Sequence, residues 1–274
     1  VTWQVSIFFA QRNMFKRLLP WLLFSTFMIP PVLADGLKSA SILHGWSERD
    51  GMRVAGLKLE LADGWKTYWR TPGASGYPPQ FDFSISENVK EITIKWPAPN
   101  IFGTDEYATI GYEKSVVLPL LISPKEADTD IKISLSADIG VCRDVCIPMS
   151  FTVTDDIPAD AKTRPSALMA ALANGPWSTD DMGIRELTCD LSTDPNGFVV
   201  DISAPVGNLN PNTRIIVEYP AADVWVNNGL TARKNKAFQM QAEVFVESTI
   251  ALARDRFIIN LLSDGVWAQQ KGCN

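Results

Sequence analysis

Beyond about residue 35, apolar and polar positions alternate with a period of two, the spacing that puts successive side chains on opposite faces of a β-strand. GMRVAGLKLELADGW (51–65), ENVKEITIKW (87–96), KSVVLPLLIS (114–123), DIKISLSADIGVC (130–142) and CIPMSFTVT (146–154) each predict strands, separated by turn-rich pieces such as TPGASGYPP and WPAPN. The polar, proline-bearing DDIPADAKTRP then breaks the pattern. SALMAALAN after it predicts a short helix, begun at Pro165 and ended by Asn174, Gly175 and Pro176. Strands resume in GFVVDIS, TRIIVEY, ADVWVNN, KAFQMQAEVF, RFIINLL and VWAQQ, with Asn228-Gly229 and Asp264-Gly265 as hairpin-turn signals. The expected architecture is mainly β: a β-sandwich over 35–156, a linker with a short helix over 157–176, and a second, smaller β-sandwich-like domain over 177–274.

The first 34 residues have a different character, with no Asp or Glu and a run from MFKR through LLPWLLFSTFMIPP to VLA. Lys16 and Arg17 supply a basic start, Leu18 to Ile29 an apolar stretch, and Val32 and Ala34 the small residues before a cut. This predicts a signal peptide cleaved after Ala34, with Met14 as a candidate start. Pro20, Pro30 and Pro31 interrupt the run and argue against an uncleaved spanning helix, which needs about 20 continuous apolar residues. Nothing later is long and apolar enough to cross a bilayer, so the expected mature protein is soluble and exported. Without the leader's three basic residues, 22 basic face 31 acidic ones, a net charge of −9 that disfavours nucleic acid as a partner.

Export changes the reading of the four cysteines, because disulfides persist outside the cytosol. Cys142 and Cys146 stand four apart in VCRDVCIPM. On one strand they would lie about 13 Å apart, and on a helix their Cβ atoms would be about 5 to 6 Å apart, too far for a relaxed disulfide. A hairpin with Arg143, Asp144 and Val145 as its loop brings the opposed Cα atoms to about 4.5 to 5.5 Å. Strand parity groups Cys142 with Lys132, Ser134, Ser136 and Asp138, and Cys146 with Ser150 and Thr152, so both sulfurs belong to the polar face. Closing so short a loop gains about 2 kcal/mol, against about 4 to 5 for a bond between Cys189 and Cys273. The distant pair is thus the better staple and the close pair the better exchange centre. A structural disulfide and a Cu(I) site, helped by Met149, stay open as alternatives.

Other chemistry is sparse. His44 is the only histidine, which removes zinc-protease and Cys2His2 motifs and makes a surface or packing role its default. Neither G-x-S-x-G nor a glycine-rich phosphate loop occurs, and no metal or cofactor is expected. Trp65, Tyr68, Trp69 and Tyr77 crowd GWKTYWRTPGASGYPP, where core packing outweighs a peptide- or sugar-binding surface. Asp105, Glu106 and Tyr107 read by themselves as a solvated loop.

Taken together, GWKTYWRTPGASGYPP, WPAP, TDEYATIGYEKSVVLPL and ADIGVCRDVCIP resemble the N-terminal domain of the thiol:disulfide interchange protein DsbD, and more closely that of its copper-sensitivity relative ScsB. The resemblance covers residues 40 to 155 well and the remainder loosely. It implies an immunoglobulin-like sandwich whose redox pair, Cys142 and Cys146, passes electrons to thioredoxin-fold proteins of the periplasm. It also implies a cap loop over the pair, with Asp105 and Glu106 as tuning acids and Tyr107 as shield. Two departures stand out: the best-known members have a longer gap between the cysteines, and full-length members continue into a membrane electron conduit and a thioredoxin-like domain. The expectation is therefore a stand-alone relative served by a separate membrane electron donor, with copper- or partner-binding without catalysis as the competing role.

Overall fold

The alternation resolves into antiparallel sheets. A computed structural model describes residues 36–73, 75–103, 107–195, 197–207, 209–247, 251–263 and 265–273, so the expected signal peptide lies outside the described residues. The first β region contains β1 (Leu37–Ser47), β2 (Arg53–Leu61), β3 (Lys66–Tyr68), β4 (Gln80–Asp82), β5 (Val89–Ile94), β6 (Asn100–Phe102), β7 (Thr109–Glu113), β8 (Ser115–Pro124), β9 (Ile131–Cys142) and β10 (Cys146–Ile157). One sheet runs β1-β2-β8-β5 and the other β10-β9-β3-β7-β6, with β4 also pairing β9. This is the immunoglobulin-like sandwich.

Parity decides which side chains fill it. Ile131, Ile133, Leu135, Ala137, Ile139 and Val141 of β9 are all buried against Leu57, Leu59, Leu118, Leu120 and Ile122 of the facing sheet. Burying one such side chain contributes about 1.5–3 kcal/mol, enough to fix the register, because a slip of one residue would turn the whole set to solvent.

Three features depart from the sequence reading. β1 was not among the expected strands, because register shifts at Leu37/Ser39 and His44/Trp46 break its alternation. β3, β4, β6 and β7 are three to five residues long and lie within or beside stretches that read as turns. The third concerns Asn228-Gly229, described below.

The helix α1 (Ser166–Ala173) begins after Pro165 and ends at Asn174. Its Leu168 is fully buried against Trp46, Val54 and Val117. The chain continues through β11 (Trp177–Ser178), β12 (Thr188–Asp194), β13 (Gly197–Pro205), β14 (Arg214–Glu218), β15 (Val224–Asn228), β16 (Ala232–Lys234), β17 (Ala237–Val246), β18 (Ile258–Ser263) and β19 (Val266–Lys271). These form two further sheets, β11-β19-β18-β14 and β12-β13-β17-β15, with β16 on β17. A disulfide joins Cys189 to Cys273, both buried in the second core.

β18 and β19 pair antiparallel with Ser263 opposite Val266 and Gly265 at φ +80°; Asp264, the other half of that turn signal, lies outside the described residues. Asn228-Gly229 does not turn a hairpin: β15 and β16 both pair antiparallel to β17, so the chain runs on in one direction. The Asn228 side chain instead serves β14, accepting from Val217 N at 2.7 Å and donating to Val217 O at 3.0 Å.

The two β regions meet directly after β3. Arg70 makes a bidentate pair with Glu218, Nε to Oε1 at 2.9 Å and Nη2 to Oε2 at 2.7 Å. Its guanidinium lies 4.2 Å from the Trp69 ring and 4.7 Å from that of Trp267, which themselves meet edge to face at 5.3 Å. Asn260 donates to Glu218 at 2.8 Å and accepts from Trp267 Nε1 at 2.9 Å. The Glu218 carboxylate also accepts from Thr71 Oγ1, so three side chains hold this partly buried charge.

Candidate functional site

Cys142 ends β9 and Cys146 begins β10. They are directly paired across the hairpin, their Cα atoms 4.1 Å apart and their sulfurs bonded. Arg143, Asp144 and Val145 are the loop, where Arg143 N donates to Val145 O at 3.2 Å. The Arg143 guanidinium pairs with exposed Asp144 at 3.1 Å and lies 5.4 Å from the Trp65 ring. Cys146 is exposed and Cys142 half-buried, while Val145 at the tip is 65% exposed.

β3 docks on the sulfur end of β9, with Lys66 opposite Cys142 and Thr67 opposite Val141. Thr67 Oγ1 donates to Gly140 O at 2.9 Å, fixing that register. Alternation then sends Trp65, Thr67 and Trp69 into the core and places Lys66 and Tyr68 on the sulfur face. The Tyr68 phenol oxygen is 2.8 Å from Cys142 Sγ and 3.0 Å from Cys146 Sγ. Disulfide sulfurs carry no proton, so the phenol is the donor. Burial pushes its pKa above the ordinary value, which keeps that proton in place at neutral pH.

Gly140 makes this approach possible. A Cβ there would sit 2.7 Å from Tyr68 Cε2 and 3.0 Å from Tyr77 Cβ, inside van der Waals contact. Lys66, opposite Cys142, extends its ammonium to 4.3 Å from the Phe102 ring. That ammonium is thus carried towards β6 and away from β9, and the Tyr68 hydroxyl is the polar group held against both sulfurs.

Sequence reasoning grouped Tyr68 with three other aromatics as core. Trp65, Trp69 and Tyr68 are all buried, Tyr68 with its hydroxyl against the sulfurs, and Tyr77 is 45% exposed. Parity within W-K-T-Y-W carried the signal that separates Tyr68 from its neighbours. Asp105 and Glu106, the expected tuning acids, lie outside the described residues; Tyr107 is 66% exposed. The base of that loop is fixed by Gly73, at φ +87°, where a Cβ would meet Ala108 O at 2.6 Å. Ile110 N also donates to Pro72 O at 2.9 Å.

Met149, the suggested helper of a Cu(I) site, is buried in the sandwich core, on the opposite strand face from Cys146. His44 is half-exposed on β1, 3.0 Å from Asp155 of β10. Among the described residues no three His, Cys, Asp or Glu side chains gather as a metal site, and no helix is long and apolar enough to cross a membrane.

Comparison with known proteins places this geometry. Residues 41–157 match the family model of the N-terminal domain of thiol:disulfide interchange protein DsbD. No curated protein sequence matches the chain. Among solved structures, the N-terminal periplasmic domain of ScsB from Proteus mirabilis superposes with a TM-score of 0.58 at 19% identity. The match covers 84% of this chain and 89% of that one, and at this identity it speaks for the fold. The segment that holds the hairpin disulfide, β3 and Tyr68 is therefore the part of the chain that matches the family model of the DsbD N-terminal domain, residues 41–157.

Proposed function

We propose that the chain is a periplasmic thiol–disulfide exchange protein that passes reducing equivalents to thioredoxin-fold partners through Cys142 and Cys146. The observation that carries this reading is a disulfide at an exposed hairpin tip, outside the core, with a protonated phenol directed at both sulfurs. A staple would gain little at this position, because the loop it closes is so short.

The exposure of Cys146 makes it the attacking sulfur. In the reduced protein its thiolate attacks one sulfur of the partner's disulfide; an intermolecular S–S bond forms, and the partner's other sulfur leaves as a thiolate and takes a proton. Cys142, deprotonated, then attacks Cys146 Sγ and expels the partner's second sulfur. Two electrons and two protons pass to the partner, and the pair returns to the bonded state. Tyr68 donates to whichever sulfur carries charge. Reloading requires a two-electron dithiol donor, which we assign to a membrane protein. Asp105, Glu106 and Tyr107 act as the cap that opens on docking.

The test is a Cys142→Ser variant mixed with oxidised thioredoxin-fold protein. It should accumulate a mixed disulfide through Cys146, and the native pair should have a potential well above about −300 mV. A potential far below that value with no adduct defeats the proposal.

A further inference from the structure

A cleft of about 780 Å³ opens between the two β regions, walled by Arg70–Gly73 on one side and by β14 and β15 on the other. Both strands are sheet edges, since β14 ends its sheet after β18 and β15 ends its sheet after β17. An edge presents unpaired backbone donors and acceptors, which proteins usually cover.

The two edges are treated differently. On β14, Ile215 N donates to Thr231 Oγ1 at 2.8 Å, and the Asn228 amide occupies both backbone groups of Val217. That edge is sealed by side chains. On β15, the bonds Glu247 N to Asp223 O and Gly229 N to Gln241 O set the phase of pairing with β17. In that phase residues 225 and 227 bond to β17, while the N–H and C=O of Val226 point away from it, towards the cleft. Among the described residues Val226 has no hydrogen-bond partner on that side.

The rim of the cleft reaches the strand that carries Cys142. Gly76 and Pro78 line it, and Tyr77 between them packs over Gly140 beside Cys142. Ala108, next to Tyr107, lines it too. Tyr77 thus links the Gly76–Pro78 rim of the cleft to the strand that ends at Cys142. Leu230, 52% exposed, gives its mouth an apolar side.

We propose that this cleft is a strand-accepting groove: an extended segment of the redox partner, next to its reactive cysteine, pairs with the free edge of β15 at Val226. Main-chain pairing tolerates varied side chains, which suits a protein that must reduce its partner whatever the local sequence. This inference rests on the exchange reading above.

The test uses the mixed disulfide between the Cys142→Ser variant and oxidised thioredoxin as probe, followed by amide hydrogen exchange. Complex formation should slow exchange at the Val226 amide by about tenfold or more, while 225 and 227, already bonded to β17, change little. Val226→Pro removes only the outward donor, at a position where an edge strand accepts proline, and should weaken the noncovalent encounter about three- to tenfold. A complex that forms with Val226 exchange unchanged overturns the groove and leaves the exchange function standing. Failure to form any mixed disulfide overturns both.

Discussion

Tyr68→Phe removes a single oxygen and leaves the ring in place over Gly140. In the oxidised protein that oxygen donates to neutral sulfurs at 2.8 and 3.0 Å, a weak interaction. In the reduced protein it donates to a thiolate, and hydrogen bonds to charged groups contribute about 1.5–3 kcal/mol. Taking the low end, because one proton is shared between two sulfurs, the loss corresponds to a rise of about one unit in thiol pKa. Below that pKa the thiolate population falls about tenfold, but the more basic sulfur is also more nucleophilic. With a Brønsted slope of about 0.4–0.5 the net exchange rate falls about threefold. Above the thiol pKa, where the reduced state carries the thiolate, the same loss of about 1.4 kcal/mol lowers the reduction potential by about 30 mV. The assays are the pH dependence of alkylation of Cys146 in a Cys142→Ser background, with and without Tyr68→Phe, and the potential of the intact pair in glutathione buffers. Unchanged alkylation pKa and unchanged potential in a folded variant would refute the assignment of Tyr68 as the donor.

Gly140→Ala places a methyl group 2.7 Å from the Tyr68 ring and should cost about 1–3 kcal/mol in urea unfolding, while abolishing the further effect of Tyr68→Phe on potential. Mild dithiothreitol should reduce Cys142–Cys146 long before the buried Cys189–Cys273 bond, as read by mass spectrometry after alkylation; replacing both of the latter by serine should cost about 2–5 kcal/mol in the same unfolding assay. Burial raises the phenol pKa of Tyr68, and that of Tyr112 strongly. Folding thus favours their protonated forms: this stability is intact below about pH 10 and is lost as pH rises through the folded-state values. Urea midpoints should fall on the alkaline side, less steeply in Tyr112→Phe. Glu218→Ala strips Arg70 of its partner and should destabilise the joint between the β regions by about 2–4 kcal/mol, seen as a lower midpoint or a split transition.

The cysteine hairpin was legible because two independent constraints agree on it. Disulfide geometry excludes one strand or one helix for residues four apart, and the parity of Ile131 through Val141 fixes which face the sulfurs share. The helix after Pro165 was legible from its end signals. β1 was not, because its bulges scramble the period. Tyr68 was hidden for a different reason: local parity separates it from Trp65 and Trp69, but what it touches depends on β3 docking against β9, a contact between residues more than 70 positions apart. The Arg70–Glu218 joint spans 148 positions and is hidden in the same way. Asn228-Gly229 misled because a side chain that favours tight turns can equally imitate a missing strand, which is its use beside Val217.

Behind the cysteine hairpin, β9 and β10 continue in unbroken register for twelve residue pairs, from Cys142–Cys146 to Ile131–Ile157. Opening the sulfur bond at the tip of such a ladder frees no strand and shifts no register. On the exchange reading proposed above, the bonded and reduced hairpins can share one backbone, because the twelve-pair ladder holds both strands in place whichever state the sulfurs are in.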